Sequence, residues 1–404
     1  MYNFLEKNFF YLIGRFFLLG TRPLILLFFI NFNYLNFSNI LSEFFLIVSI
    51  TMIFANFSAH RNYYKGVENN KKISELNELQ IRYLQIIFFC LIWGSIFGLF
   101  LSFIHKVNIQ TYICIFLLFL VEKLHDEIQR YLLLKKKFSL WGKLNVLKSL
   151  IFIFSLTMNY FYFGNFKNYF LFAVLNIIGD LVSISFFIDK KKFLESLIIF
   201  KKKFIIKNII NNIFKLKILF LITSTSHLAL YSERLFISSF YKGILDQVTF
   251  VAMICSIMPT FLSIFFIQKK IKEFATNQFE IRDILFNKIF NLSLIGSIVI
   301  TLIMLNFFMY YQIIVINLFV VYLIFLIQLI YSINMTISEF IFWRNNYKDI
   351  LFNELFFIIG LSFLFACNIY FNITLINSLI CIICLMFVKL ILYLHLSKKK
   401  NNVN

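Results

Sequence analysis

The stretch IFNLSLIGSIVITLIMLNFFMYYQIIVINLFVVYLIFLIQLIYSIN, residues 289–334, contains no charged side chain. It divides into two apolar runs, 289–308 and 313–334, each about as long as the 20 residues that an α-helix needs to cross the hydrocarbon core of a bilayer. Inside lipid, only helices and closed barrels satisfy all of their backbone hydrogen bonds. Two transmembrane helices with a short connection are therefore predicted here.

The same pattern extends over the whole chain of 404 residues, of which 61% are hydrophobic and only 14% charged. A soluble domain averages roughly 25% charged residues, so a soluble globular protein is excluded. The first apolar run lacks a small-residue cleavage site and is expected to remain as a span. The apolar runs predict an all-α, polytopic membrane protein with twelve spans: 9–30, 39–57, 84–104, 111–129, 144–163, 169–188, 218–239, 248–268, 289–308, 313–334, 349–367 and 375–396.

The 39 Lys and Arg residues are distributed unevenly between the connections. Alternate connections, starting with the N-terminal segment, hold 31 of them, whereas the opposite connections hold only Lys106, Lys167 and Lys242. Cytoplasmic loops carry the excess of basic residues in membrane proteins, so both termini are predicted in the cytoplasm. The net charge of +20 is thereby interpreted as an orientation signal, and a nucleic-acid partner is not expected.

The long connection 189–217 separates two predicted six-helix bundles, residues 1–188 and 218–404, and the second bundle ends in a short basic tail. Apolar clusters in this connection are interrupted by lysines, which predicts an amphipathic linker on the anionic cytoplasmic leaflet. Six plus six spans with an inner linker is the layout of transporters that are built from parallel repeats around a central cavity.

Motifs for nucleotide or metal chemistry are missing from the sequence. There is no G-x-x-x-x-G-K-[ST] loop and no D-x-D pair, so neither an enzyme nor a cofactor is predicted. Glu122 and His125 have the E-x-x-H spacing of di-iron bundles, but the spacing occurs without a second copy, and a metal site is not expected. The charged group around them, residues 122–130, contains i,i+4 ion pairs and is expected to protrude into the cytoplasm.

Ionisable residues inside the predicted spans are the candidates for function, because such a residue at a helix centre costs about 2.5–3.5 kcal/mol on insertion scales and usually faces water or a partner. Arg15 and Arg22 lie on one face of the first span. At about 1.5 Å per residue, Arg22 lies roughly 20 Å deep. Arg15 either lines a cavity or extends to the surface, and Arg22 either lines a cavity or forms a structural salt bridge.

Three further charged residues lie in spans six and seven. Glu233 and Arg234 are adjacent, and adjacent helical positions point about 100° apart, so Glu233 is not expected to neutralise Arg234. Pairing of Glu233 with Arg22 would leave Arg234 free for an anion; alternatively, Glu233 and Arg234 lie near the outer interface. Asp180 either pairs with a basic residue or binds a coupling cation or proton.

Four stretches resemble one family of transporters. They are YLIGRFFLLGTRPLILLFF (11–29), NFSNILSEFFLIVSI (36–50), SAHRNYY (58–64) and LYSERLFISSFYKGILDQVTFVAMICSIMPTFLSIFF (230–266). Together with the twelve predicted spans and the short outer loops, these stretches resemble the Wzx-type O-antigen translocases. Those proteins are the polysaccharide flippases of the multidrug/oligosaccharidyl-lipid/polysaccharide exporter superfamily. The resemblance implies transfer of a polyprenyl-pyrophosphate-linked oligosaccharide from the inner to the outer leaflet of the bacterial cytoplasmic membrane by alternating access.

This resemblance implies specific roles and partners. Arg22 and Arg234 would contact the pyrophosphate headgroup, and Arg15 and Arg61 would guide it from the inner leaflet. The implied partners are the lipid-linked oligosaccharide, membrane lipids, a polysaccharide polymerase and a chain-length regulator. A cation-coupled multidrug exporter of the same superfamily is the first alternative, although its cavity should be rich in acids, whereas central bases are expected to outnumber central acids. A membrane polymerase or ligase is the second, although every outward connection is short.

Overall fold

The computed structural model consists of helices joined by turns, with no strand in the residues that it describes. The chain divides into two compact units, Met1–Lys217 and Ile218–Asn404, and the second unit starts where the sequence analysis places the second half. The described residues are 10, 13–14, 17, 20–28, 30, 38, 42–46, 49, 113, 117–118, 121–122, 125, 129, 132, 137–163, 169–187, 218, 221–222, 225–226, 228–267, 281–343 and 347–399.

Several predictions from the sequence fall outside these residues. They are the linker 189–217, the span 84–104, and the candidate residues Arg15 and Arg61. The predicted spans 9–30, 39–57, 111–129 and 218–239 are described in part.

The described part of the first unit contains two complete helices, α1 (Phe138–Phe163) and α2 (Tyr169–Phe187), which pack against each other. Helix α1 begins six residues before the predicted span 144–163, so that Lys143 as well as Lys148 lies inside it. A Cβ atom built on Gly179 of α2 would lie 3.2 Å from the backbone oxygen of Lys148. Glycine at this position therefore lets α2 approach α1 closely.

The described part of the second unit contains eight α-helices. They are α3 (Ser232–Phe240), α4 (Leu245–Cys255), α5 (Ile257–Leu262), α6 (Ile281–Leu285), α7 (Lys288–Tyr310), α8 (Leu318–Trp343), α9 (Tyr347–Phe371) and α10 (Leu375–Lys399). Pro259 lacks an N–H group, and the helical run is interrupted at Ser256, between α4 and α5. Helix α8 is the most central of the described long helices, since it packs against α4, α5, α9 and α10.

Among the described residues, five helical segments are long and apolar enough to cross a membrane, and these five lie in the second unit. They are Lys242–Ile267, Lys288–Tyr310, Leu318–Ile341, Lys348–Phe371 and Leu375–His395. The chain is therefore a helical membrane protein. The complete layout of twelve spans in two bundles stays a prediction.

The predicted span 313–334 starts too early, and the structure shows why. Helix α8 begins at Leu318 because the Asn317 side chain accepts a hydrogen bond from the backbone N–H of Phe319 at 2.8 Å, as residues at helix N-termini do. The preceding helix α7 ends in a turn with Gln312 at a φ of 56°. The apolar residues of this turn look like helix on hydropathy alone.

Three turns of the second unit lie at the same end of its helices. Tyr241, which follows α3, donates a hydrogen bond to the backbone oxygen of Ile373 between α9 and α10. The Gln247 amide donates to the backbone oxygen of Ile313 at 3.2 Å and accepts from the backbone N–H of Val315 at 3.1 Å. These side chains tie together the connections that the distribution of basic residues predicts on one face of the membrane.

Candidate functional site

The first unit contains a cluster of charged side chains inside its predicted spans, here called the Arg22 cluster. Its members are Arg22, Glu122, His125, Lys148 and Asp180. Arg22 belongs to the helical segment 20–28, Glu122 and His125 lie one turn apart on another helical segment, Lys148 is on α1 and Asp180 is on α2. Four separate segments of the sequence therefore meet at one site.

The shortest contact in the cluster joins Lys148 and Asp180. The Nζ atom of Lys148 lies 2.6 Å from Oδ1 of Asp180, which is completely buried. Gly179, the neighbour of Asp180, brings α2 close enough to α1 for this contact to form. A buried carboxylate requires such a partner because an unpaired charge in a low-dielectric interior is strongly unfavourable.

Glu122 connects this buried pair to Arg22. Its Oε1 atom lies 3.7 Å from Nζ of Lys148 and 3.5 Å from Nη2 of Arg22. The other terminal nitrogen of Arg22 donates to Oγ of Ser49 at 3.5 Å, and the guanidinium lies over the Phe45 ring at 5.3 Å. The Arg22 side chain is 37% exposed, against 8% for Glu122 and 17% for Lys148. Arg22 is therefore the accessible cation of the cluster.

His125 lies on the other side of Asp180, with Nδ1 at 3.9 Å from Oδ1 of Asp180. The Gln129 amide nitrogen lies 2.8 Å from the same Nδ1 and 2.8 Å from Oδ1 of Asn145. Since an amide nitrogen donates, Nδ1 accepts and the ring proton of a neutral histidine lies on Nε2. Nε2 is buried and has no hydrogen-bond partner among the described residues. This side of the cluster is held in place by neutral amides.

A second charged group in the other unit is formed by Glu233 and Arg234. Both side chains are buried, and Nε of Arg234 lies 3.5 Å from Oε1 of Glu233. Gln328 of α8 donates to the same oxygen at 2.9 Å, and the guanidinium of Arg234 lies 4.3 Å from the centre of the Tyr231 ring. The expectation that Glu233 does not neutralise Arg234 is wrong, because the two long side chains bend toward each other from adjacent positions.

A third group joins α9 to α10 and was not singled out from the sequence. Nζ of Lys389 lies 2.7 Å from Oε2 of Glu354, and the Tyr393 hydroxyl donates to Oε1 of Glu354 at 2.8 Å. All three side chains are buried. Because both carboxylate oxygens are satisfied and nothing in the group is accessible, we interpret it as a structural connection between the two helices.

The structure places each described candidate in one of these groups. Arg22 and Asp180 lie in the same cluster, and Glu233 lies with Arg234. Glu122 and His125, which the sequence analysis placed in a protruding cytoplasmic helix end, are buried in the Arg22 cluster instead. Their burial corrects the prediction of a protruding helix end. Lys148 and Asp180 supply partners from other helices, which i,i+4 spacing along one helix does not reveal.

Acidic and basic residues are equally numerous in the three described groups. The three groups together contain four acidic residues (Glu122, Asp180, Glu233 and Glu354) and four basic residues (Arg22, Lys148, Arg234 and Lys389). In these groups the bases therefore do not outnumber the acids. What distinguishes Arg22 is its exposure, since the other seven side chains are largely enclosed.

Comparison with known proteins gives no relative: no protein-family model, no curated protein and no solved structure matches the chain. The geometry of the three charged groups is therefore the basis on which a function is inferred.

Proposed function

We propose that the protein is a flippase that moves a polyprenyl-pyrophosphate-linked oligosaccharide across the membrane by alternating access. The observation that supports this most directly is the exposed guanidinium of Arg22 beside an otherwise buried cluster of charges. A charged side chain that far inside a predicted span usually faces a water-filled cavity or pairs with another group. An enzyme that hydrolyses or transfers sugars is not part of the proposal.

The chemistry of Arg22 suits a pyrophosphate headgroup. A guanidinium is planar, stays charged and binds phosphate oxygens through two parallel hydrogen bonds. Its contacts with Ser49 and Glu122 are both 3.5 Å long, whereas charge-assisted hydrogen bonds measure about 2.7–2.9 Å. Loose contacts of this kind leave Arg22 able to bind a stronger anion. The headgroup roles of Arg15, Arg61 and Arg234 stay predictions from the resemblance.

We further propose twelve spans in two six-helix bundles, in a bacterial cytoplasmic membrane, with both termini in the cytoplasm. The distribution of basic residues supports this orientation. Exposed Val315 lies in the turn between α7 and α8, on the predicted outer face. Exposed Lys348 lies at the start of α9, on the predicted inner face.

The orientation can be tested by labelling single cysteines in intact cells, after replacement of the six native cysteines by alanine. We expect an impermeant maleimide to label Val315→Cys from outside and to label Lys348→Cys only after the membrane is permeabilised. The cysteine-free protein is the control for background labelling. The reverse pattern would contradict the proposed orientation.

The proposed transport is tested with purified full-length protein in liposomes. A fluorescent polyprenyl-pyrophosphate oligosaccharide is added to both leaflets, and an impermeant quencher reports how fast the protected pool becomes accessible. We expect exchange at a rate far above that of protein-free liposomes. Exchange no faster than in those liposomes would contradict the proposal.

A cation-coupled multidrug exporter is the second candidate, because the charged groups contain as many acids as bases. The same proteoliposomes distinguish the two candidates when they are loaded with a cationic dye. Accumulation of the dye driven by an ion gradient, without exchange of the lipid-linked oligosaccharide, would support the exporter.

A further inference from the structure

The position of Glu122 indicates a role beyond neutralising one arginine. Its Oε1 atom is shared by two cations, at 3.5 Å from Arg22 and 3.7 Å from Lys148. Lys148 makes its short contact elsewhere, with Asp180 at 2.6 Å. Glu122 is therefore the loosely held anion of the cluster, and it has two alternative partners within a short movement of its side chain.

This sharing changes what happens when another anion approaches Arg22. Displacing a carboxylate from a buried ion pair is normally unfavourable because it leaves a charge without a partner. Here the displaced carboxylate of Glu122 keeps Lys148, and Arg22 gains the incoming anion. Every charge in the cluster stays paired throughout the exchange.

We propose that Glu122 is a displaceable counter-ion for Arg22. Its carboxylate pairs with the guanidinium when no ligand is bound and moves toward Lys148 when a phosphate group binds. It returns to Arg22 when that group leaves. The inference rests on the proposed function and adds that Glu122 controls how tightly the headgroup binds and how fast it leaves. A neutral or cationic ligand gains nothing from the exchange, so the arrangement selects for anionic ligands, phosphate groups among them. Glu122 is a positioning residue, since it acts through Arg22.

The test measures binding of inorganic pyrophosphate to the full-length protein in detergent by calorimetry. Glu122→Gln removes the competing charge and leaves Lys148 paired with Asp180. We expect this variant to bind pyrophosphate at least about tenfold more tightly, because the coupling between close charges is larger than this factor. It should also exchange the lipid-linked oligosaccharide more slowly, because the headgroup leaves Arg22 more slowly.

Two further variants show whether the effect passes through Arg22. In the double variant Arg22→Gln/Glu122→Gln, the gain in affinity should disappear. Glu339→Gln makes the same chemical change in α8 of the other unit and should leave pyrophosphate affinity unchanged. A gain in affinity that persists without Arg22, or one that Glu339→Gln also produces, would overturn the proposal.

A structural role for Glu122 predicts a different result. If Glu122 only braces the cluster, Glu122→Gln binds pyrophosphate equally or less tightly, and this outcome overturns the inference. If Glu122→Gln does not fold, Glu122→Asp replaces it: the shorter carboxylate competes less well, so affinity should rise, and unchanged or lower affinity overturns the proposal equally.

The outcomes for the two proposals can be told apart. Tighter pyrophosphate binding that depends on Arg22, in a protein that does not exchange the lipid-linked oligosaccharide, would support the counter-ion and contradict the flippase. Normal exchange of the lipid by the wild-type protein, with no gain in affinity from Glu122→Gln, would support the flippase and contradict the counter-ion.

Discussion

Replacing Arg22 by glutamine should abolish exchange of the lipid-linked oligosaccharide, lowering the rate by about a hundredfold or more, as expected when one partner of a hydrogen-bonded charge pair is truncated. Glutamine retains hydrogen-bonding capacity but loses the charge that binds the pyrophosphate. Arg22→Lys keeps the charge but loses the planar, two-pronged geometry, so an intermediate rate is expected. The measurement is the quencher assay in proteoliposomes at matched protein density.

Lys348→Gln is the matched control for this experiment, since it removes an exposed basic residue at the start of α9 and should leave the exchange rate unchanged. Both proteins must also elute from size-exclusion chromatography as the wild type does. If Arg22→Gln exchanges the lipid at the wild-type rate, Arg22 does not bind the headgroup, and the flippase proposal loses its main support.

Replacing Lys389 by methionine should destabilise the protein severely. The substitution leaves the Glu354 carboxylate, which is completely buried, without its cation. Breaking a buried ion pair by removing one partner typically costs about 3–5 kcal/mol. The loss is measured as the free energy of unfolding in mixed detergent micelles. We expect this variant to unfold at a much lower concentration of denaturant than the wild type.

A double substitution distinguishes an ion pair from simple loss of packing. Lys389→Met with Glu354→Leu removes both charges and keeps apolar volume, and such replacements are often neutral or stabilising. We therefore expect the double variant to recover part of the lost stability, because the buried Tyr393 hydroxyl loses its acceptor on Glu354 at a cost of about 1–3 kcal/mol, while Lys348→Met has little effect. A double variant as unstable as Lys389→Met alone would show that the pair itself is not what stabilises α9 against α10.

Helical structure and several span positions follow from the sequence, because lipid imposes a simple constraint on length and hydropathy. The last two predicted spans, 349–367 and 375–396, lie within α9 and α10. The start of α8 could not be found this way. It depends on the hydrogen bond that Asn317 accepts from the N–H of Phe319. The turn before Asn317 contains the apolar run 313–316, so hydropathy does not mark where the helix begins.

The candidate site was only partly predictable. Arg22 and Asp180 stand out because charge inside an apolar run is costly. Lys148 does not stand out, because it lies near the edge of its apolar run and counts with the basic residues of a connection. Its partner Asp180 is on another helix, and periodicity gives the face of one helix without showing which faces meet. Glu122 looked like part of a solvated helix end for the same reason.

The close approach at Gly179 illustrates what sequence patterns omit. The sequence shows a glycine beside an aspartate, but only the packing of α1 against α2 shows that a side chain at this position would press on the backbone oxygen of Lys148. That contact brings Asp180 to Lys148 and so fixes the buried end of the cluster. Charge pairing between helices depends on such packing details.

The central claim is that the Arg22 guanidinium faces water deep in the membrane and receives a phosphate group there. The most direct measurement is the reaction of Arg22→Cys, in the cysteine-free protein, with a small water-soluble anionic thiosulfonate. We expect this cysteine to be modified, because the reagent can reach it only through water. A cysteine at position 22 that resists the water-soluble reagent, yet reacts with an apolar, membrane-permeant maleimide, would place the side chain against lipid and contradict the account.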